Sequence, residues 1–502
     1  MTDDVWNRMA SERWKDNSEG LMSHRLASVL RGAITSGELL PGQRLQPIAA
    51  LAKRLEVSPP TVQRIYKTLA HEGLVGAQAN RHGTFVLQST AGTAPAPDFP
   101  AHRRLRLAQL ENTLRAAYSD AVDLMRGSPP PDSLPLPELK RAWMKAAPDT
   151  ADLLGYPQFL DAEPQLVDAV LPLLRVDGVP CQARDLLVIS STQQALTLMC
   201  EILRSREAPG QDMIVGVEEP GYQTAMDTLE RHGMTLAGMA MDEHGVQPAS
   251  LKSALDAGAW LVVFTPRAQS PTGVSWVPER REELADVLAH YPNVWILEDD
   301  HFAEAASTRP GSLIADPRLA DRVLYVRSFS KTLAADLRVA VGVARSPLRD
   351  SLLTAKSFND GWSSRLMQRV VAALLAEPGT AATLQQARET YATRRRAFCA
   401  ALADGFERIG VPLNDLACGP DGLHVWVPMP PGQNASTVVE AVARRGFLFA
   451  PSEPFHVTAG PGTNRFVRVN AGAADLDTLR AAAHALTAAL GDFSSQRLTL
   501  TP

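Results

Sequence analysis

One lysine is flanked by hydroxyls in a way that can do covalent chemistry. Lys331 stands in the stretch Ser328-Phe-Ser330-Lys331-Thr, directly after the β-branched run 323–326, and Arg338 follows seven residues later. A lysine amine can form an imine with an aldehyde. Ser328, Ser330 and Arg338 can share a phosphate, with the arginine making a charge-assisted contact. A lone lysine after a strand is often only a surface charge, so the motif needs support from the rest of the chain.

Other polar groups also follow predicted strands. Asp299 lies within the acidic end of the run 294–297, and a carboxylate facing a pyridine nitrogen keeps it protonated and makes the ring an electron sink. Thr192 and Gln193 lie where a strand passes into a helix, a place where N–H groups and hydroxyls can hold a phosphate. Tyr222 can stack on a flat ring. The alternatives are solvated loop charges, helix capping and a packing tyrosine.

The turn Ser270-Pro-Thr-Gly273 can present a polar group to a ligand, although a bare tetrapeptide is weak support.

Short β-branched runs alternate with helical stretches from about 150 to 375. The runs are 187–189, 213–217, 261–264, 294–297, 323–326 and 339–343. This alternation is typical of a mostly parallel sheet covered by helices on both faces. Because ligands bind at the carboxyl ends of strands in such sheets, we expect these polar groups to meet there.

The N-terminal part of the chain has a different pattern. Apolar residues at helical spacing predict helices over 24–35 and 48–55, and a third helix with Ser58 as its N-cap. Two short strands are predicted after it, over 74–75 and 84–87. Three helices followed by a hairpin predict a winged helix-turn-helix.

Charge separates this module from the remainder. Residues 20–90 carry a net charge of +5, although the whole chain has a net charge of −5. A basic module on an acidic body indicates a polyanion partner for that module. No apolar run approaches the ~20 residues of a membrane span, and no signal pattern opens the chain. The four scattered cysteines predict neither a metal site nor disulfides, and with the missing signal they favour a cytoplasmic location.

The predicted domain order follows from these patterns. It is a flexible arm over 1–20, a winged helix-turn-helix DNA-binding domain over 21–88, a linker over 89–120 that starts rich in proline and small residues and continues as a helix up to about Val122, a large α/β domain over 121–375, a smaller α+β domain over 376–490, and a tail over 491–502.

The polar motifs occur in the order that fold-type I aminotransferases dependent on pyridoxal 5'-phosphate (PLP) show. With the N-terminal module, the chain from about residue 20 to 490 resembles the MocR subfamily of GntR-type transcriptional regulators. The resemblance implies a multidomain protein, with an α-rich winged helix-turn-helix joined to an α/β aminotransferase fold. It also implies a double-stranded DNA operator, PLP as cofactor, a response to PLP or to an amine or amino acid, and a head-to-tail homodimer.

The resemblance also assigns roles by position. Lys331 resembles the Schiff-base lysine, Asp299 the partner of the pyridine nitrogen, and Tyr222 the stacking residue. The phosphate set would be Thr192, Gln193, Ser328, Ser330 and Arg338. Arg468 resembles the arginine that clamps a substrate carboxylate, and Arg465 is the alternative, since a planar guanidinium suits either place.

Two positions depart from the aminotransferase pattern. Ser270 stands where an asparagine is usual, and His301 where a tyrosine is usual; in the family both commonly hydrogen-bond the 3'-hydroxyl of the cofactor. Losing both implies at most residual transaminase activity. His301 can still donate a hydrogen bond and make a ligand response sensitive to pH, or it can simply fill the tyrosine site.

The third helix departs from GntR-type modules as well. Pro59 and Pro60 occupy its usual polar start and cannot donate a backbone N–H. The predicted DNA contacts are therefore made by Thr61, Gln63, Arg64, Lys67 and, at the wing tip, Arg81. Gln63 and Arg64 have the reach for base edges, Lys67 for a phosphate, and Arg81 for a minor groove. Each of these can instead be a solvated surface residue.

Three functions compete for these features. The first is a PLP-responsive transcription factor, in which an amine displaces Lys331 and shifts the population of two states. The second is a metabolic aminotransferase with an accessory N-terminal module, which Lys331, Asp299 and Arg468 permit. The third is a helix-turn-helix that binds only a protein partner.

Overall fold

The computed structural model divides the chain into two compact units, Met1–Phe99 and Pro100–Pro502. The structure describes residues 26–27, 30, 33–34, 39, 43–71, 74–76, 83–86, 103–147, 153, 155–156, 162–206, 212–413, 416, 418–458 and 463–498. Residues 26–27, 30 and 33–34 are helical, within the predicted helix over 24–35.

The first unit contains two further helices and a hairpin: α1 (Ile48–Leu55), α2 (Pro59–His71), β1 (Val75–Gly76) and β2 (Phe85–Val86), with β1 and β2 antiparallel. Leu51, Ile65 and Leu69 are fully buried on the inner faces of these helices. Ser58 precedes α2, and its Oγ accepts a hydrogen bond from the Thr61 N–H at 3.4 Å, as its predicted capping role requires.

The second unit is a mixed α/β structure. Its helices are α3 (Arg103–Ala117), α4 (Leu136–Ala146), α5 (Pro164–Val176), α6 (Thr192–Arg204), α7 (Gln223–Arg231), α8 (Pro248–Asp256), α9 (Pro278–Ala289), α10 (Leu348–Asn359), α11 (Arg365–Ala376), α12 (Pro378–Arg408), α13 (Ala435–Ala443) and α14 (Leu476–Leu498). Its strands are β3 (Val122–Asp123), β4 (Leu186–Ile189), β5 (Ile214–Glu219), β6 (Thr235–Asp242), β7 (Gly245–Val246), β8 (Ala259–Phe264), β9 (Trp295–Asp300), β10 (Val323–Ser328), β11 (Ala340–Val343), β12 (His424–Pro428), β13 (Phe447–Leu448), β14 (Ala450–Pro451) and β15 (Phe466–Asn470).

Eight of these strands form one sheet, in the order β4-β11-β10-β9-β8-β5-β6-β7. The pairs from β10 through β9, β8 and β5 to β6 are parallel, whereas β11 runs antiparallel to both β4 and β10, and β7 antiparallel to β6. Its central strands are buried on both faces, as a sheet between two helical layers requires. The predicted fold class is confirmed.

Three of the remaining strands form a smaller antiparallel sheet in the order β12-β15-β14. The long helix α12 packs against α14 beside it, and Trp426 of β12 stacks on Phe466 of β15 at 5.3 Å between ring centroids. This layer carries Arg468 in the middle of β15. The short strands β3 and β13 pair in parallel, and this pairing joins the segment after α3 to the smaller sheet layer.

A buried ionic network holds β9 and β10 together. Arg267 Nε and Nη2 donate to the Asp300 carboxylate at 2.9 and 2.6 Å, and the Tyr325 hydroxyl donates to the same carboxylate at 2.5 Å. Arg327 of β10 donates to Asp177 at 2.7 Å and to Glu304 at 2.6 Å. Because each buried charge has an opposite charge in contact, the network avoids unpaired ions in the core.

Candidate functional site

Eight of the predicted site residues line one cavity of about 470 Å³ at the carboxyl ends of the parallel strands. They are Gln193, Tyr222, Ser270, Asp299, His301, Lys331, Arg338 and Arg468. The cavity has the size of ordinary small-molecule sites in proteins. Strand ends that are far apart in sequence therefore meet as the alternating pattern predicts.

Lys331 lies in the turn that follows β10. Its Nζ donates a hydrogen bond to the backbone oxygen of Gly127. Burial, followed by the nearby positive charge of Arg468, lowers the pKa of this amine from 10.5 to about 8, while Asp299 acts in the opposite direction. A substantial part of the amine is therefore neutral near physiological pH, which is the form that attacks a carbonyl carbon.

Asp299 is the middle member of the acidic end of β9. Successive side chains of a strand point to opposite faces, so Asp299 faces the cavity while Glu298 and Asp300 are fully buried elsewhere. The hydroxyl of Thr192 donates to Asp299 Oδ1 at 2.6 Å, and His301 Nδ1 lies 3.6 Å from its Oδ2. The carboxylate is thus held in place at the cavity wall.

Arg468 projects from β15 and is 4% exposed. Its Nη2 donates to the backbone oxygen of Met125 at 2.6 Å, its guanidinium lies 4.6 Å from the Phe455 ring centroid, and its Nε has no partner among the described residues. Burial lowers its pKa to about 10, so it remains a cation at neutral pH. Arg465, the alternative, is exposed and is not among the lining residues.

The predicted phosphate set is only partly assembled at the cavity. Gln193 and Arg338 line it, but Thr192, Ser328 and Ser330 do not. Ser328 is buried, and its Oγ accepts from the Ser330 N–H at 3.4 Å. Arg338 is exposed and adopts a left-handed backbone conformation with φ of 50°.

Besides Gln223 and Thr224 at the start of α7, two groups of lining residues were not singled out from the sequence. His424, the first residue of β12, is 6% exposed, and burial together with Arg468, Lys331 and His301 holds its pKa well below its usual value. The other group is a wall made by α3 and the segment after β3: Arg104, Leu107, Ala108, Glu111, Met125, Arg126, Gly127 and Ser128. A lone histidine on a strand and a glycine before a proline-rich stretch carry too little signal to be found without the fold.

Gly127 fits closely under this wall. A Cβ atom at this position would lie 3.2 Å from His424 Cε1 and 3.3 Å from its Nε2. Glycine therefore lets the backbone pass close to the imidazole ring and reach Lys331.

In the first unit, Gln63, Arg64 and Lys67 form an exposed face of α2. Thr61 differs from them, because it is 5% exposed and its hydroxyl lies 2.8 Å from Ser58 Oγ. Its described contacts belong to the start of the helix, so they do not favour its predicted DNA contact. Arg81 lies outside the described residues.

The structure contains two further negative findings. Among the described residues, no helix is long and apolar enough to cross a membrane. In the same residues, no cluster of histidine, cysteine, aspartate or glutamate could hold a metal ion.

The fold and the cavity define an aminotransferase-like unit, and the first unit carries a helix-turn-helix with an exposed, partly basic helix face. The family model for Aminotransferase class I and II matches residues 120–486, and that for bacterial regulatory proteins of the gntR family matches residues 22–86. The chain therefore belongs to the Aminotransferase class I and II family and, with its gntR module, to the MocR-type transcriptional regulators.

Curated relatives have the same arrangement over most of their length. The vitamin B6 salvage pathway transcriptional repressor PtsJ of Salmonella typhimurium is 29% identical over 471 residues, which cover 93% of this chain and 98% of the relative. The probable rhizopine catabolism regulatory protein MocR of Rhizobium meliloti is 28% identical and covers 76% of each chain. The HTH-type transcriptional regulator YjiR of Escherichia coli is 30% identical, over 66% of this chain and 72% of its own length.

Solved structures support the fold of the second unit. The α-aminoadipate aminotransferase LysN of Thermus thermophilus aligns with a TM-score of 0.67 at 23% identity, over 80% of this chain and 97% of its own. A multiple substrate aminotransferase of Thermococcus profundus aligns with the same TM-score at 20% identity, over 78% of this chain and 95% of its own. At these identities the likeness concerns the fold alone.

Proposed function

We propose that this protein regulates transcription by binding an operator through its first unit and PLP, covalently through Lys331, in the cavity of its second unit. The observation that carries the proposal is the meeting of a buried amine of lowered pKa, a carboxylate and a buried arginine in one cavity. A chain that only transaminates has no need of a gntR module.

The residues of the cavity fit the cofactor. Lys331 supplies the amine that an aldehyde requires, and Asp299 supplies a carboxylate for a pyridine nitrogen. Tyr222, 41% exposed at the cavity wall, offers a ring face for stacking. When bound, PLP supplies an electron-withdrawing ring to any amine joined to it. Buried nitrogens of His301, His424 and Arg468 have no hydrogen-bond partner within the described part of the chain, and a ligand can supply one.

The phosphate end of the cofactor is assigned to Arg338 and Gln193, which line the cavity. Thr192, Ser328 and Ser330, which do not line it, are proposed on their sequence positions alone. Arg338 provides the positive charge, since guanidinium and phosphate pair in a bidentate manner. Ser270 and His301 line the same cavity and would hold or share the proton of the ring hydroxyl. Thr192 also orients Asp299 through its 2.6 Å hydrogen bond.

The proposed signal is PLP itself, or an amine or amino acid that meets it at Lys331. Arg468 favours an effector with a carboxylate. The name of the relative PtsJ, a repressor of vitamin B6 salvage, favours a vitamin B6 compound as signal. Both kinds of ligand would react at the amine of Lys331, so the same cavity can bind either of them.

The proposed operator contacts lie on α2 and the wing. Gln63 and Arg64 would read base edges, while Lys67 would contact phosphate, because each is exposed on one face of α2. Arg81 is proposed for the minor groove on its sequence position alone. Thr61 is not among the proposed contacts, because its hydroxyl already meets Ser58 at the start of α2.

A head-to-tail homodimer is part of the proposal. Several large apolar side chains of the second unit are exposed, including Phe358 at 87% and Tyr156 at 86%, with Tyr156 in edge contact with Trp362. Exposed aromatic residues of this kind favour a protein–protein interface. A two-fold dimer would present two α2 helices to two half-sites of an operator.

The cofactor assignment is tested by visible absorption of the purified protein titrated with PLP. We expect wild type to develop a visible band that Lys331→Ala abolishes, because the variant has no amine at that position. Lys252→Ala, which removes an exposed lysine of α8, should retain the band. A band of equal intensity in Lys331→Ala would contradict the assignment.

Gel shifts on the protein's own upstream DNA, with and without PLP, test the regulatory part. Operator binding that changes with PLP supports a sensor. Steady transamination at enzyme-like rates, with no operator binding by the full chain, would instead support the aminotransferase with an accessory module.

A further inference from the structure

Two basic side chains of the cavity, those of Lys331 and Arg468, are held by backbone oxygens of one short segment, Met125–Ser128, which we call the strap. Lys331 Nζ donates to the oxygen of Gly127, and Arg468 Nη2 donates to that of Met125 at 2.6 Å. Asn470 Nδ2 donates to the two remaining oxygens, of Arg126 at 2.6 Å and of Ser128 at 2.9 Å. Every carbonyl of the strap is therefore bound by a side chain of the cavity wall or of β15.

The other side of the strap is fastened to α3 by charged side chains. Asp123 Oδ1 accepts from the N–H groups of Met125 at 2.9 Å and Arg126 at 3.3 Å, and its Oδ2 accepts from Arg115 of α3. Arg126 Nε donates to Glu111 Oε1 at 2.5 Å, and Arg115 Nε lies 3.0 Å from the same oxygen. Arg115 of α3 therefore holds Asp123, and Glu111 of α3 holds Arg126 of the strap.

Helix α3 is also anchored at its start. Asp227 accepts from the backbone N–H groups of Arg103 at 3.0 Å and Arg104 at 2.9 Å, and the Arg103 guanidinium pairs with Glu230 at 2.5 Å. In sequence, α3 follows directly on the residues that lead from the first unit. A change in the strap can therefore reach the helix at which the second unit begins.

We propose that the strap is a built-in competitor for the ligands of the cavity, and that Asp123 and Arg115 transmit its displacement to α3. This inference rests on the proposed function, because the ligands that compete are an aldehyde at Lys331 and a carboxylate at Arg468.

The competition follows from hydrogen-bond chemistry. When the Lys331 amine condenses with an aldehyde, a C=N bond forms, the aldehyde oxygen leaves as water, and the nitrogen keeps at most one proton. Gly127 then loses its donor or must share it. At Arg468, a ligand carboxylate makes charge-assisted bonds that are roughly twice as strong as a bond to the neutral oxygen of Met125. Each ligand therefore releases one end of the strap.

Arg115→Ala removes the link from the strap through Asp123 to α3 and leaves the Arg126–Glu111 pair in place, without altering any residue that lines the cavity. Arg106→Ala is the matched control, because Arg106 lies on the same helix and makes a comparably exposed ion pair, at 3.0 Å, with Glu453 instead. The probes are PLP, which has an aldehyde and no carboxylate, and N-(5'-phosphopyridoxyl)-L-leucine, which has a carboxylate and no aldehyde.

Hydrogen exchange of the full chain reads the strap and α3 separately. In wild type and Arg106→Ala, we expect each probe to speed exchange both at the Met125 and Arg126 amides and in the last turns of α3. In Arg115→Ala, the strap should respond as in wild type while the response of α3 should be smaller, because only the Arg126–Glu111 pair still joins them. The effect of PLP on operator affinity should shrink by about 2- to 30-fold, the range typical of a mutation in a coupling network.

Two results would overturn the inference. One is a strap whose exchange does not change in wild type that has developed the PLP band. The other is an Arg115→Ala protein that responds in α3 and on DNA as Arg106→Ala does. If wild type develops no band or binds no operator, it is the proposed function that fails, and this outcome is distinguishable because both are measured before the variants are compared.

Discussion

The acidic end of β9 has three neighbouring carboxylates with different environments. Asp299 faces the cavity, whereas Asp300 is bound by Arg267 and Tyr325, and Glu298 accepts from the Leu313 N–H at 2.8 Å. Burial raises the pKa of Glu298 to about 7. Because successive side chains of a strand point to opposite faces, the sequence predicts that the middle carboxylate faces the other way from its two neighbours. The partners come from distant loops, so sequence spacing cannot name them.

Lys331 gives a prediction about pH. Its pKa is lowered from 10.5 to about 8, so the neutral amine becomes abundant as the pH rises through about 8 rather than through 10.5. We expect the initial rate of PLP uptake to rise about tenfold per pH unit below this value and to level off above it. Stopped-flow absorption between about pH 6 and pH 10, at constant ionic strength, measures the rate on both sides of this pKa.

The same shift fixes the sign of a stability effect. Because the folded protein binds this proton less tightly than the unfolded chain does, the ionised lysine costs stability below about pH 8, and the cost disappears as the pH rises toward 10.5. If the rate of PLP uptake keeps rising up to pH 10 and reaches no plateau, the assignment of the reactive amine to Lys331 is contradicted.

At the scale of elements, helix α2 shows what spacing can and cannot predict. The exposed face of Gln63, Arg64 and Lys67 follows from helical periodicity, and the sequence predicted it. The burial of Thr61 did not follow, because its hydroxyl meets Ser58 across the first turn. A residue in the first turn can serve the helix itself before it serves a partner.

Lys67→Ala should weaken operator binding about equally for all DNA sequences and lower the slope of log affinity against log salt by about 1, because one phosphate contact is lost. Lys252→Ala, in the second unit, should leave the slope unchanged. Titrations at several salt concentrations measure it. An unchanged slope in Lys67→Ala would remove this residue from the interface.

The sheet contains a strand that the sequence did not reveal. Thr235–Asp242 forms β6, and most of its side chains are partly or fully exposed, so it lacks the apolar run by which the other strands were found. Gly238 has a specific role there, because a Cβ would lie 1.8 Å from Glu219 Oε2 of the paired strand β5. The need for glycine at position 238 is therefore visible only once β5 and β6 are paired.

At the scale of the whole molecule, the sequence predicted a linker over 89–120 in which a helix follows the proline-rich stretch, up to about Val122; in the structure, α3 begins at Arg103 within the second unit, which begins at Pro100. The stretch 103–117 is rich in charge, which resembles a solvated segment until its partners are known. Arg103 is 7% exposed, because Asp227 and Glu230 compensate its charge. Sequence alone cannot supply partners more than a hundred residues away.

The division into two units predicts how PLP affects stability. PLP at a hundred times its Kd should stabilise the second unit by about 2.7 kcal/mol, because it binds only the folded form. Calorimetry should show this as a shift of the transition assigned to Pro100–Pro502, with the transition of the first unit unmoved. Lys331→Ala should lose most of the shift. Equal shifts of both transitions would show that the two units unfold as one.

The strap has a consequence for the lifetime of the protein without its signal. Oxygens of Met125 and Gly127 accept hydrogen bonds from Arg468 and Lys331 when no ligand does, so the ligand-free protein does not bury these two basic groups without hydrogen bonds. Under the proposed function, the protein must stay folded when its ligand is scarce, because the ligand-free form then determines transcription. The strap therefore allows the ligand-free protein to be a durable state rather than a short-lived precursor awaiting its cofactor.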